Sequence, residues 1–259
     1  MVNQTIASSR TNIAGRMAAF AYGLVCYGIF LLTFLYAIGF VGNLVVPKTI
    51  DSAPTLPLPT ALLINVGLLG LFGMQHSVMA RPAFKRAWTR IIPKSLERST
   101  YVLFSSLCLI ALFWFWQPMG ITVWQVQNPI GQGILYSLFA FGWLLVLVST
   151  FLINHFDLFG LRQVYLYLIG QEYTNLSFVT PNLYKVVRHP LYVGWFFAFW
   201  ATPKMTATHL VFAVITAAYI LVAIQLEERD LITVYGEAYA NYRRRVPMLI
   251  PFLRRRTAQ

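Results

Sequence analysis

Residues 131–154 read GQGILYSLFAFGWLLVLVSTFLIN, an unbroken run without one charged side chain. At 1.5 Å per helical residue it is long enough to cross a hydrocarbon layer about 30 Å thick. Three further apolar runs of similar length lie at about 17–42, 60–80 and 100–118. The whole chain of 259 residues is 58% hydrophobic and 11% charged, which leaves too few charges to coat a water-facing surface. Its mean hydropathy is +0.63. The sequence therefore specifies an all-α, polytopic membrane helix bundle. The first sixteen residues are polar, carry Arg10 and Arg16, and lead into an apolar stretch too long for a signal peptide, so the first span is expected to be retained.

Beyond a connector at about 155–187, residues 190–202 are apolar but only about a dozen long. Thr202-Pro203-Lys204 turns this segment into a full-length run at 206–226, giving a helical hairpin with one short arm and five to six spans in all. The short arm is expected either to tilt or to be broken at its start, where irregular backbone can line a polar cavity. Pro54–Pro59 reads as a short external loop. No internal repeat, low-complexity tract or second domain is visible.

Charge asymmetry sets the orientation. The loops 43–60, 119–130 and 202–206 hold Lys48 and Lys204 alone among the 20 lysines and arginines, whereas 81–98 carries Arg81, Lys85, Arg86, Arg90, Lys94 and Arg98. The positive-inside rule then places that loop and both termini in the cytoplasm. The net charge of +12 is mostly this topology signal, with the arginines at 243–245 and 254–256 set to meet anionic head groups. The basic residues flank spans and form no stripe interleaved with exposed aromatics, which argues against nucleic acid. Cys26 and Cys108 fall in different apolar runs and read as packing.

The intramembrane polar residues share one depth. Gln75 and His76 end the second span, Asn154, His155 and Asp157 end the fourth, Arg188 and His189 open the fifth, and Glu227 and Glu228, followed by Asp230, end the sixth. Ionisable groups at membrane depth are costly, so this convergence marks a functional site. His209, near the other end, reads as a structural interface residue. Trp114-Phe115-Trp116 reads as interfacial belt. His76 is either a hydrogen-bonded packing residue or part of a substrate pocket, and His155 with Asp157 either caps the fourth helix or joins that pocket. The adjacent carboxylates Glu227 and Glu228 repel each other at the negative end of a helix dipole and need a cationic partner, from Arg188, Arg243 or a ligand.

The pattern Arg188-His189-Pro190-x-Tyr192-x-Gly194, a hairpin, Glu227-Glu228-x-x-Leu231, and Tyr235-Gly236-x-x-Tyr239-x-x-Tyr242-x-x-x-Val246-Pro247 resembles the C-terminal half of the isoprenylcysteine carboxyl methyltransferase superfamily. Within it, Gln75-His76-Ser77-x-Met79-Ala80-Arg81-Pro82 and Asn154-His155-Phe156-Asp157-x-Phe159-Gly160-Leu161-Arg162-Gln163 look like the bacterial membrane methanethiol S-methyltransferases, which form dimethyl sulfide. The resemblance implies one membrane methyltransferase domain over 1–259, with four spans at about 17–154 and the connector, hairpin and cofactor segment at about 155–259. It implies S-adenosylmethionine as cofactor, held on the cytoplasmic side by Arg188, His189, Pro190, Tyr192, Gly194, Glu227, Glu228, Tyr239 and Tyr242. It also implies the inner membrane of a bacterium as the location and a small thiol as substrate, with no protein partner required.

Residue chemistry fits these roles. Gly194 would let a ligand approach the backbone closely. The turn at Pro190 would free helix N-terminal donors for a carboxylate, and the Glu pair would receive an ammonium and ribose hydroxyls. No Gly-x-Gly-x-x-Gly fingerprint follows a strand, which excludes a Rossmann-type cofactor domain. A thiol must lose its proton to become a strong nucleophile, so His76 or His155 is the candidate base, with Asp157 fixing its tautomer and Arg162 raising the local positive potential. No metal is needed, and no ligand set has metal spacing. Two other readings keep the architecture: methylation of a prenylcysteine carboxylate or phospholipid amine, and a transporter or sensor that binds without catalysis. The absence of an inverted repeat counts against the last.

Overall fold

The computed structural model describes residues 13–251, so Arg10 and the arginines at 254–256 lie outside the described residues. In chain order the elements are α1 (Ile13–Gly42), α2 (Leu58–Ala80), α3 (Pro82–Trp88), α4 (Lys94–Phe115), β1 (Thr122–Gln125), α5 (Pro129–Ile153), α6 (His155–Leu158), α7 (Leu161–Leu168), a 3-10 turn (Asn182–Lys185), α8 (Pro190–Trp200), β2 (Lys204–Thr206), α9 (Ala207–Tyr235) and α10 (Glu237–Arg245). Among the described residues five helices are long and apolar enough to cross a membrane: α1, α2, α4, α5 and α9. The chain is an integral membrane protein, and the polytopic helical bundle read from its hydropathy is what the structure has.

Helix α1 packs on α4 and α7, α2 on α4 and α9, and α5 on α8. A core of Phe40, Leu112, Phe113, Trp116, Phe139, Trp143 and Phe212 fills one end of the bundle. Leu63, Met74 and Ile134 point outward, as a lipid-facing surface requires. At the same end β1 and β2 form a two-stranded antiparallel ribbon, pairing Thr122 with Thr206 and Gln125 with Lys204.

Helix α8 is the short arm. Its 11 residues reach about 16 Å, roughly half a bilayer. The helix breaks at its end, at Ala201, and residues 201–203 turn irregularly into the ribbon, where Val126 and Ala207 donate backbone N–H groups to Pro203 and Ile121. A ribbon that satisfies these groups is what allows irregular backbone here. Helix α5 holds α8 by contact between backbones. A Cβ on Gly142 would sit 2.5 Å from the Ala198 nitrogen, and one on Gly194 would sit 2.8 Å from the Gly142 oxygen. Small residues at a membrane helix crossing permit this approach.

Three local expectations change. Helix α9 runs on to Tyr235, so Glu227 and Glu228 lie about two turns inside it, beyond reach of the dipole that acts only in the last turn. Helix α4 starts at Lys94, which places Lys94 and Arg98 on a helix where a loop was expected. Trp116 is fully buried and donates its indole N–H to the Ile50 carbonyl at 3.2 Å, while Trp114 and Phe115 stay exposed as belt residues do.

Candidate functional site

All the predicted polar groups lie at the end of the bundle opposite the ribbon, but in separate clusters. The densest is built on Glu228, which is 2% exposed. Its Oε1 accepts from Arg188 Nε at 2.7 Å and lies 3.0 Å from His189 Nε2, and its Oε2 pairs with Arg243 Nε at 2.9 Å. Arg188 also donates through Nη1 to the carbonyls of Arg243 and Val246, at 3.1 and 2.6 Å. The backbone joins in: Arg188 and His189 donate their N–H groups to Pro247 and Met248. Gly236, at φ +55°, turns α9 into α10 and so returns Arg243 to the cluster. The repulsion expected between the two carboxylates is thus answered on the Glu228 side by two arginines of the chain itself, with the His189 ring beside them.

Glu227 is placed differently. Its Oε2 accepts from the Tyr192 hydroxyl at 2.9 Å, and no second hydrogen bond to it forms among the described residues. Tyr184 lies within electrostatic reach of it, and burial first, then this charge, push the Tyr184 phenol well above its ordinary range. Tyr239 is 2% exposed, yet its hydroxyl has no partner among the described residues. Burial, reinforced by the charge on Glu228, keeps the Tyr239 phenol protonated, so a buried donor stands unmatched. Burial does the same to Tyr242, which donates to the Tyr184 carbonyl at 2.6 Å. Phe178 of the connector packs against Tyr235, Tyr239 and Tyr242. Pro190 opens α8, whereas Gly194 is spent on the α5 crossing.

The two histidines are not together. His76 stacks on Phe72, and the Tyr101 hydroxyl lies 3.0 Å from its Nδ1 and 2.9 Å from its Nε2. One phenol serves one nitrogen at a time, and Ser105 Oγ lies 3.1 Å from Nδ1, so Nε2 can exchange Tyr101 for a ligand. His155 has no such latitude. Thr150 Oγ1 is 2.8 Å from its Nδ1 and Tyr27 OH 2.9 Å from its Nε2, and its ring lies between Phe151 at 4.1 Å and Phe159 at 4.8 Å. Burial lowers its pKa. Asp157 touches neither histidine ring: its carboxylate accepts from Arg162 at 2.9 Å, Gln163 at 3.4 Å and Tyr173 at 3.3 Å. Arg162 is further held by the Thr174 carbonyl at 3.0 Å, so this group ties α6 and α7 to the connector.

Tyr101 and Tyr219 were missed because a tyrosine in an apolar run carries no charge signal, and Tyr184 because it lies in the connector. Their only advance signal was position, at the same depth as the histidines and the Glu pair.

The fold and this one-sided gathering of buried ionisable and phenolic groups define a polytopic membrane protein with a polar centre at one end of its bundle. No family model and no solved structure matches the chain. Curated sequences do. It is 63% identical over 250 residues to the methanethiol S-methyltransferase of Crocosphaera subtropica, covering 96% of this chain and 97% of that one. It is 53% identical over 242 residues to that of Mycobacterium tuberculosis, covering 93% and 99%, and 55% identical over 244 residues to methanethiol S-methyltransferase 2 of Bradyrhizobium diazoefficiens, covering 93% and 94%. The chain belongs to the methanethiol S-methyltransferase family, and it is a membrane methyltransferase.

Proposed function

We propose that the protein methylates a small thiol, with methanethiol giving dimethyl sulfide, that its methyl donor is S-adenosylmethionine, and that it works at the cytoplasmic face of a bacterial inner membrane. Identity above 50% to methyltransferases of that name over nearly their whole length is the observation that carries the reading. The charge bias supports the orientation, since the basic segment 81–98 lies at the same end as the polar centre.

The residues present suit such a donor. Glu227 retains bonding capacity for an ammonium or ribose hydroxyl, and the unmatched Tyr239 hydroxyl is a buried donor in want of an acceptor. Tyr192 orients the Glu227 carboxylate. Arg188, His189 and Arg243 fix Glu228, and through it the backbone on which Glu227 stands. When bound, the cofactor supplies an electrophilic methyl group on a sulfonium.

On the acceptor side His76 is the base. Its neutral imidazole takes the thiol proton through Nε2 while Ser105 occupies Nδ1, and the resulting thiolate is the stronger nucleophile. His155, with both nitrogens engaged, holds the scaffold. The remaining acceleration comes from proximity.

The test is to give the purified protein labelled S-adenosylmethionine with methanethiol, a prenylcysteine and phosphatidylethanolamine, and to follow the label. Label in dimethyl sulfide is expected, and label in the other products alone overturns the reading. His76→Ala should lose about 10²–10⁴-fold in rate, less at high pH where thiolate forms unaided, with cofactor affinity kept.

A further inference from the structure

Helices α2 and α9 carry the two halves of the proposed site, and two polar links join them. Ser77 stands on the last turn of α2, and Arg81, four residues on, caps that helix in extended geometry. Tyr219 and Asp230 are eleven apart, about three turns, and share one face of α9. The Ser77 and Tyr219 hydroxyls lie 3.0 Å apart, and Arg81 Nη1 lies 2.9 Å from Asp230 Oδ2. Arg81 is braced on the end of α2, its Nε donating to the Ser77 carbonyl at 3.2 Å. The Tyr219 ring lies flat enough on α2 that a Cβ at Gly73 would sit 3.3 Å from it.

The stability these links add is small. Arg81 and Asp230 are 31% and 36% exposed, and ion pairs so open to solvent contribute about 0–1 kcal/mol. Their value is geometric. Sliding α9 along α2 by one turn, about 5.4 Å, breaks both links together. They also bracket the chemistry: His76 is the neighbour of Ser77, and Glu227 lies one turn before Asp230. Tyr192, which holds Glu227, is within electrostatic reach of both Tyr219 and Tyr101, the partner of His76.

We infer that Ser77–Tyr219 and Arg81–Asp230 form a two-point latch that sets the register of α2 on α9 and so holds acceptor-side His76 against cofactor-side Glu227. These four are positioning residues, and the inference rests on the proposed function for what is positioned. Methyl transfer is an in-line displacement, and a misplacement of about 1 Å costs on the order of 10²-fold in such a geometry.

The experiment uses the full-length protein in lipid nanodiscs with Asp230→Asn, Tyr219→Phe, the two combined, and the reversal Arg81→Asp with Asp230→Arg. Arg244→Ala, which breaks an exposed pair with Glu237, is the control. Each single variant should lose about tenfold in kcat/KM for thiol and the combination about a hundredfold, with calorimetric affinity for S-adenosylmethionine within about twofold of wild type. The reversal should regain most of the Asp230→Asn loss. In cofactor-free protein, amide hydrogen exchange over 225–235 should quicken in Asp230→Asn and return towards wild type in the reversal. Wild-type kinetics in the combined variant, cofactor affinity falling in step with turnover, or a reversal no better than Asp230→Asn each overturns the latch. A wild-type protein that methylates no thiol would sink the functional reading instead, and the exchange comparison would still decide the latch.

Discussion

Arg188 Nε lies 2.7 Å from Glu228 Oε1, and both side chains are almost wholly removed from solvent, at 9% and 2% exposed. The motif glutamates therefore divide their work: Glu228 binds the chain to itself, and Glu227 faces outward from that knot.

Glu228→Ala should undo the packing of α10 against α8 and α9, because it strands the Arg188 guanidinium without its carboxylate. Removing one partner of a buried pair costs about 3–5 kcal/mol. Glu227→Gln should leave thermal stability nearly unchanged and weaken cofactor binding by tenfold or more, since a charge-assisted bond to an ammonium contributes roughly 1.5–3 kcal/mol. Thermal melts and calorimetry on both variants separate the roles. Equal stability with equal affinity loss would return both residues to the ligand.

The buried His155 gives stability a pH dependence of known sign. Burial lowers its pKa from the ordinary 6.5, so the unfolded chain takes up a proton that the folded chain refuses. This contribution is complete above about pH 6.5 and is lost as pH falls from there through the lowered folded value. Melting temperature should drop below pH 6.5 in the wild type, and this drop should shrink in His155→Phe. An unchanged drop in the variant assigns it to another group.

Gly194→Ala should cost about 1–3 kcal/mol or more, since its new methyl would meet the Gly142 oxygen and the Val146 nitrogen at 2.8 Å, and backbone cannot yield as a flexible side chain can. Expression and melting temperature check it. A stable variant that has lost only cofactor affinity would show that Gly194 faces the ligand instead.

Orientation is tested by labelling. Thr55 and Arg90 are both exposed, one in the loop before α2 and the other between α3 and α4. A membrane-impermeant thiol reagent applied to intact cells should modify Thr55→Cys and spare Arg90→Cys. The reverse pattern inverts the protein.

Spans were the legible part, because a run such as 131–154 states its environment by composition alone, and the depth of each polar group followed from its place in a run. Partners were not legible. That His155 would be closed off by Thr150 and Tyr27, or that Asp157 would turn to Arg162, depends on side-chain directions at the α5–α6 corner, where Asn154 leaves helical geometry at φ 165°. Hydropathy carries no trace of such a turn. The end of α9 was misplaced for a related reason: Glu227-Glu228-Arg229-Asp230 stops the apolar run but not the helix, whose hydrogen bonds continue to Tyr235.

The brevity of α8 bears on how the protein is made. A segment of 11 residues is too short to partition into the bilayer as a span of its own, and its seat is the groove that Gly142 leaves on α5. Its stable place is as a hairpin arm with α9 seated on α5, and the residues that close over Arg188, Val246 to Met248, leave the ribosome later still. Nascent chains thus acquire their whole membrane anchor before they acquire a site. A chain stopped after Tyr235 should be membrane-integrated and inert.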